Sequence, residues 1–173
     1  MRSLSRRRLQ QGPNSGNCLN GSCKSLIYVD QNSGLSWQNY LPPHQYALTE
    51  ANATCSNSNW GGFSDWRVPS LDELRTLIRG CPATQTGGTC VVGNCGLTTA
   101  CLEGCNVCDQ FQGPGTGGCY YPEEFFGVCG WVWSTNLDYI LPFGIMGYGV
   151  DFSFGRIDLN VGTFTAGNVL CVR

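Results

Sequence analysis

Twelve of the 173 residues are cysteine, and seven of these lie between Cys81 and Cys119. Thiols at that density persist as bridges in an oxidising compartment, whereas a reducing cytosol leaves them open to damage or metal capture. The even count permits six bridges with nothing left over. A chain of this length can bury a core without cysteine staples. The cross-links therefore serve long, poorly packed segments, and 81–129 reads as a disulfide-stapled insert. Only 13% of residues are charged while glycine alone supplies 24, the composition of a loop-rich extracellular domain rather than a helical enzyme. A formal charge of -2 gives nucleic acid and anionic membranes no electrostatic hold.

Residues 1–24 read as a polar tail with a small Cys18–Cys23 loop, and 25–173 as one domain carrying the insertion at 81–129. Arg2, Arg6, Arg7 and Arg8 resemble the basic start of a signal peptide, yet Gln10, Gln11, Gly12 and Pro13 follow in place of an apolar run. No stretch reaches membrane-spanning length. A truncated reading frame, a misplaced start or a fragment of a longer exported protein would each reconcile this start with the cysteines, which place the domain outside the cell or at its surface. Leu26-Ile27-Tyr28-Val29, a turn at 30–34 and Leu35-Ser36-Trp37 form a predicted hairpin. Pro43 suits the first turn of a helix over 44–57, and Ala47, Ala51 and Cys55 place Cys55 on its buried face. Ser70-Leu71-Asp72-Glu73 is a capping box opening a helix over 70–79, with Gly80 as its stop. Between Cys81 and Cys129 periodicity vanishes. Tyr148 to Phe154 then alternates like a half-buried strand, and Asn168 to Arg173 reads as a closing strand.

Several of these segments share one pattern: Gly34-Leu35-Ser36-Trp37, Ala51…Cys55, Asp65-Trp66-Arg67-Val68-Pro69-Ser70…Glu73-Leu74, Trp133-Ser134-Thr135 and Val169-Leu170-Cys171-Val172-Arg173. The chain resembles the Lcl C-terminal domain family over roughly 26–80 and 130–173. These are bacterial exported domains, often of unknown function, related to the C-type-lectin-like and formylglycine-generating superfold. The resemblance implies an α+β fold of the C-type-lectin-like type, two helices on a small, mainly antiparallel sheet, with a long disulfide-rich loop insertion. It also implies a bridge from Cys55 to Cys171 tying the ends of the domain. Cys81 and Cys129, which flank the insert, are expected to close its base, and Cys18–Cys23 to form a local loop. The pairing of Cys90, Cys95, Cys101, Cys105, Cys108 and Cys119 stays open. Arg67 is placed to pair with Asp72 or Glu73 at the start of the second helix.

The chemistry-bearing residues point away from catalysis. Cys101-x3-Cys105-x2-Cys108 has an iron–sulfur spacing, but it sits in a glycine-rich insert among other cysteines, where disulfides are the simpler reading. A structural zinc would require those thiols to stay reduced. His44 is the single histidine, and no nucleophile elbow accompanies it. Glu123 and Glu124, adjacent in an extended segment, should point apart and make a poor acid–base pair. Asp138, Asp151 and Asp158 have the right type for an ion site, yet scattered turn aspartates are ordinarily solvated. The calcium-dependent sugar motifs of true lectins are absent. No catalytic residue, metal or cofactor is assigned. The expected function is a non-catalytic recognition or adhesion module for a glycan or protein surface. Tyr120, Tyr121 and Trp131 would be its exposed rings, with Asn136, Asp138 and Tyr139 as polar neighbours. The family resemblance implies a polysaccharide or glycosaminoglycan-like partner, although mild acidity disfavours a strongly anionic one. The alternative is an enzyme of formylglycine-generating-like or hydrolase type.

Overall fold

The computed structural model describes residues 25–92, 104–140, 144–161 and 166–173, together with 18–19, 22–23 and 102. Strands β1 (Cys18–Leu19) and β2 (Ser22–Cys23) pair antiparallel, with Cys18 opposite Cys23. Whether their sulfurs are joined lies outside the described residues, as do the partners of Cys95 and Cys101. Strands β3 (Ile27–Val29) and β4 (Ser36–Gln38) form the expected hairpin. Its turn is built by Asp30, whose Oδ2 accepts from the Ser33 amide at 3.1 Å and the Ser33 hydroxyl at 2.6 Å. Gly34 then closes back on the Asp30 carbonyl at φ +73°, where a side chain would be strained.

Helix α1 spans Leu48–Ser56 and buries Ala51 and Cys55. It starts four residues later than the sequence predicts. The backbone of Tyr46 is held in a two-way antiparallel bridge with Gly167, so the chain is extended there. The helix begins once the Glu50 carboxylate accepts from the Ala47 amide at 3.0 Å. Helix α2 is Leu71–Arg75. Beyond Arg75 the backbone tightens into bonds three residues apart, through Ile78, and Gly80 at φ +81° ends it.

The main sheet is antiparallel in the order β5 (Trp131–Ile140), β6 (Gly144–Asp151), β7 (Arg156–Val161). Strand β6 therefore stops before the predicted Phe154. Asp151 Oδ1 accepts from the Ser153 amide and hydroxyl, turning the chain at 152–155. Gly147 lies against the Trp133 ring, only 2.5 Å from where a Cβ would sit, so this face of the sheet admits no larger residue.

Two apolar clusters fill the molecule. The larger joins Trp37, Leu74, Ile78, Tyr121, Phe125 and Phe152, and the smaller joins Ala51, Cys55, Trp66, Val68 and Trp133. The segment 168–173 runs between them. Leu170 and Val172 belong to the first cluster, and Val169 and Cys171 to the second. Period-two alternation with apolar residues on both faces is the signature of a strand buried on both sides. Its backbone bonds β4 through Gln38 and Ser36, and Arg67 through paired bonds to Val172. The predicted closing strand is thus present as a set of single bridges, and it lies beside the β3–β4 hairpin.

Cys55 is bonded to Cys171. The expected Cys81–Cys129 closure does not form: Cys81 bonds Cys108, Cys90 bonds Cys105, and Cys119 bonds Cys129. The reason is that the second half of the insert folds back into the body. Tyr120 donates from its amide to Phe152 and accepts at its carbonyl from Arg79, and Phe111 donates to Ser153. This carries Cys119 to the base beside Cys129 and leaves Cys108 facing Cys81. The segment without periodicity is therefore partly core.

Candidate functional site

The same folding-back opens a groove between the β3–β4 hairpin and the insert. Its outer segment, about 760 Å³, is bordered by Ser25, Tyr28, Gln31, Asn39, Glu123 and Glu124. A narrower stretch of about 280 Å³ shares Tyr28, Glu123 and Glu124 and adds Arg79. The inner segment, about 430 Å³, shares Arg79 and continues past Asp30, Asn32, Arg75, Gln85 and Thr86.

Each wall is held from behind. Arg75, at the end of α2, donates to the carbonyls of Thr84, Gln85 and Cys90, so one guanidinium fixes the start of the insert. Arg79 donates to Asp30, a carboxylate only 1% exposed, at 3.2 Å. Asp30 thus serves both the hairpin turn and the ion pair, and its neutralisation lets it remain buried. Tyr28 packs edge-on against Phe125 with centroids 5.0 Å apart. Burial pushes the Tyr28 hydroxyl above its ordinary pKa, with the neighbouring Arg79 guanidinium opposing the rise. Both glutamates border the same groove, contrary to the expectation for an extended pair, because 123–124 is a turn. They are exposed at its rim.

The sequence-predicted site residues are not brought together. Tyr120 and Tyr121 are 2% and 1% exposed and belong to the core, so they offer no exposed rings. Trp131 is half-buried and packs edge-on against Trp133 at 4.2 Å. Asn136 is exposed, but its Oδ1 accepts from the Leu71 amide at 2.8 Å and completes the start of α2. Asp138 Oδ2 accepts from the Tyr148 hydroxyl at 3.5 Å. Tyr139 pairs through its backbone with Ile145, and its side chain lies outside the described residues. Asp151 and Asp158 share Arg156. Among the described residues no three His, Cys, Asp or Glu side chains cluster as a metal site. His44 packs edge-on against Tyr46, 4.4 Å between centroids. The groove residues Tyr28, Asp30, Asn39, Arg75 and Arg79 were missed because the hairpin and the end of α2, which carry them, meet the insert only in the fold. The one local signal was Asp-x-x-Ser-Gly at 30–34, read only as a turn.

The family model of the Lcl C-terminal domain matches residues 27–173. The chain belongs to the Lcl C-terminal domain family. The match runs through the insert as well as the two flanking regions, so in this Lcl C-terminal domain the cysteine-rich segment is part of the family span. No curated protein and no solved structure matches the chain. The four bridges among the described residues fit an oxidising environment. No helix among those residues is long and apolar enough to cross a membrane.

Proposed function

We propose that this Lcl C-terminal domain is a non-catalytic extracellular recognition module, of the adhesion type, that lays a glycan chain in the groove between the β3–β4 hairpin and the insert. The observation that carries the reading is a run of three adjoining groove segments whose walls are anchored by the Arg79–Asp30 ion pair, by the Arg75 bonds to the insert backbone and by disulfides. Pre-ordered walls lose little entropy when a ligand docks. Amide, hydroxyl and carboxylate groups with one aromatic ring are the partners that a hydroxylated polymer uses. A C-type-lectin-like assignment of the fold goes with this reading, supported by the Cys55–Cys171 tie and by the long loop region between α2 and the sheet. The enzymatic alternative has little to work with. The eight cysteines whose side chains are described are all bonded, and the lone histidine is packed on a tyrosine.

The test is a glycan array and a cell-surface binding screen of the intact chain, repeated with the exposed rim residues replaced as Gln31→Trp and Thr86→Trp. Each bulky ring blocks one end of the groove without touching the core, and binding should fall at least tenfold. A Leu137→Trp change on the main sheet, away from the groove, should leave it unaltered. Binding that survives both rim changes overturns the groove. Turnover of any bound substrate overturns the non-catalytic reading.

A further inference from the structure

Large aromatic rings stabilise a fold mainly by entering its core. Tyr40 and Phe126 do not: each is half-buried, and neither belongs to either apolar cluster. They pack on one another instead, with centroids 5.0 Å apart and planes tilted by 33°. Tyr40 also stacks with the half-buried Trp60, at 6.3 Å between centroids and 10° between planes. Phe126, Tyr40 and Trp60 thus form a row of three rings at the surface, with Tyr40 in the middle.

The row is fixed through its neighbours. Leu41, next to Tyr40, donates to the Phe126 carbonyl at 2.9 Å and accepts from the Val128 amide at 3.1 Å. The Trp60 indole N–H donates to the Leu26 carbonyl, and the Trp60 carbonyl accepts from the Trp66 indole at 3.0 Å. Trp60 also rests on the smaller apolar cluster. Rings held in this way lose little freedom when a ligand lies on them. The same anchors set the row beside the outer end of the groove. Asn39 and Glu124 border that end and precede Tyr40 and Phe126 by one and two residues, while Leu26 stands between the bordering Ser25 and Ile27.

We propose that Phe126, Tyr40 and Trp60 are a stacking ledge for the sugar rings of a neutral glycan, continuing the groove at its outer end. The assignment rests on the groove reading and narrows its ligand class. An aromatic face carries partial negative charge and attracts C–H groups turned toward it. A pyranose whose hydroxyls are all equatorial offers C–H groups on both faces and keeps its hydroxyls for the groove walls. Three uncharged rings give an anionic substituent nothing to pair with. A sugar is favoured over an apolar peptide because the hydroxyl, amide and carboxylate of Ser25, Gln31 and Glu124 follow at the groove.

The experiment titrates the intact chain with a β-linked glucose oligomer and with a β-linked mannose oligomer of equal length, in which one hydroxyl per unit is axial. The glucose oligomer should bind several-fold tighter. Tyr40→Leu and Phe126→Leu keep apolar bulk but remove a ring, and each should lower that affinity about tenfold, while Tyr40→Trp, which restores a ring, should recover it. Both positions lie outside the apolar clusters, so thermal melts should show these variants folded as the parent is. Parent-like affinity in Tyr40→Leu overturns the ledge, and the groove reading stands if Gln31→Trp and Thr86→Trp still block binding. A loss in Tyr40→Leu with none in the rim-blocked chains keeps the ledge and overturns the groove. Equal affinity for the two oligomers overturns the ligand class. If neither oligomer binds, binding to cells decides: a loss in Tyr40→Leu that glycosidase treatment of the cells reproduces supports stacking on a glycan. A loss that the treatment does not reproduce reassigns the rings to a protein partner, and no loss leaves them without a ligand; either overturns the proposal.

Discussion

Tyr121 shows how a residue that looks like a binding ring becomes a structural one. Its ring lies 5.7 Å from Phe125 and 6.0 Å from Phe152, and its hydroxyl donates to the Gly127 carbonyl at 3.3 Å. Burial pushes its pKa up to about 12. An unfolded tyrosine ionises near 10. Below that pH both states are neutral and Tyr121 adds no pH dependence. Between about 10 and 12 the unfolded chain ionises first, so stability falls as pH rises, by up to about 3 kcal/mol. Tyr28 and Tyr120 are raised as well, so a spectrophotometric tyrosine titration should show several delayed components, the latest of them absent in Tyr121→Phe. Its persistence in that variant would assign the late step elsewhere. Glu73 behaves with the opposite sign. Two hydrogen bonds from Arg67, 2.5 and 2.7 Å, hold its carboxyl below the ordinary glutamate range. The stabilisation is present above the unfolded pKa and is lost as pH falls through the folded one. Arg67 is half exposed, so solvent screening keeps the effect small. Acid unfolding of Glu73→Gln should therefore differ only slightly from the parent, and in the acid limb alone.

Helix α2 is only five residues long, too short to stand without its caps. Ser70 Oγ accepts from the Glu73 amide, Glu73 accepts from the Ser70 amide, and Asn136 reaches across from β5 to the Leu71 amide. The irregularity in β5 between Trp133 and Leu137 is what presents Asn136 to the helix. Asn136→Ala should cost about 1 kcal/mol in chemical denaturation and leave ligand affinity unchanged. A loss of affinity beyond the loss of stability would return Asn136 to the recognition surface. These elements also show what can be seen in a sequence. The Ser70–Glu73 box and the Asp30 turn were legible because every partner lies within a few residues. The start of α1 was not, since Gly167 sets it from the far end of the chain. Asn136 was visible as a polar residue near aromatics, but its partner amide lies in another element. The candidate groove was invisible for the same reason: Tyr28, Arg79 and Glu124 meet only after the insert folds back, and no local spacing encodes that return. Even the cysteine pairs followed this logic, with Cys81 diverted to Cys108 once Tyr120 entered the core.

At the scale of the whole molecule, the Cys55–Cys171 bridge links residues 116 positions apart. The chain-entropy argument makes its closure worth about 5 kcal/mol. Replacing both cysteines with alanine should lower the free energy of unfolding by about that amount, read by denaturant titration of tryptophan fluorescence. A loss below 1 kcal/mol would mean that the packing of 168–173 already holds the ends together. The insert belongs to the same unit. Because Tyr120, Tyr121 and Phe125 are core, excising 82–128 should unfold the domain rather than merely remove a binding surface, as circular dichroism of the deletion would report.

The strand between the two apolar clusters also imposes an order in time. Neither cluster can close until 168–173 has been made and threaded between them, because each borrows alternate side chains from it. Everything before it, including the paired tryptophans and the half of the insert that returns to the core, must wait with apolar surface uncovered. Pairings of such long range are slow to form. A ribosome-bound chain halted before residue 166 should therefore be digested readily by protease, and one extended past 173 should resist. Such a molecule acquires its shape late and all at once, and the bridge from Cys55 to Cys171 can close only then.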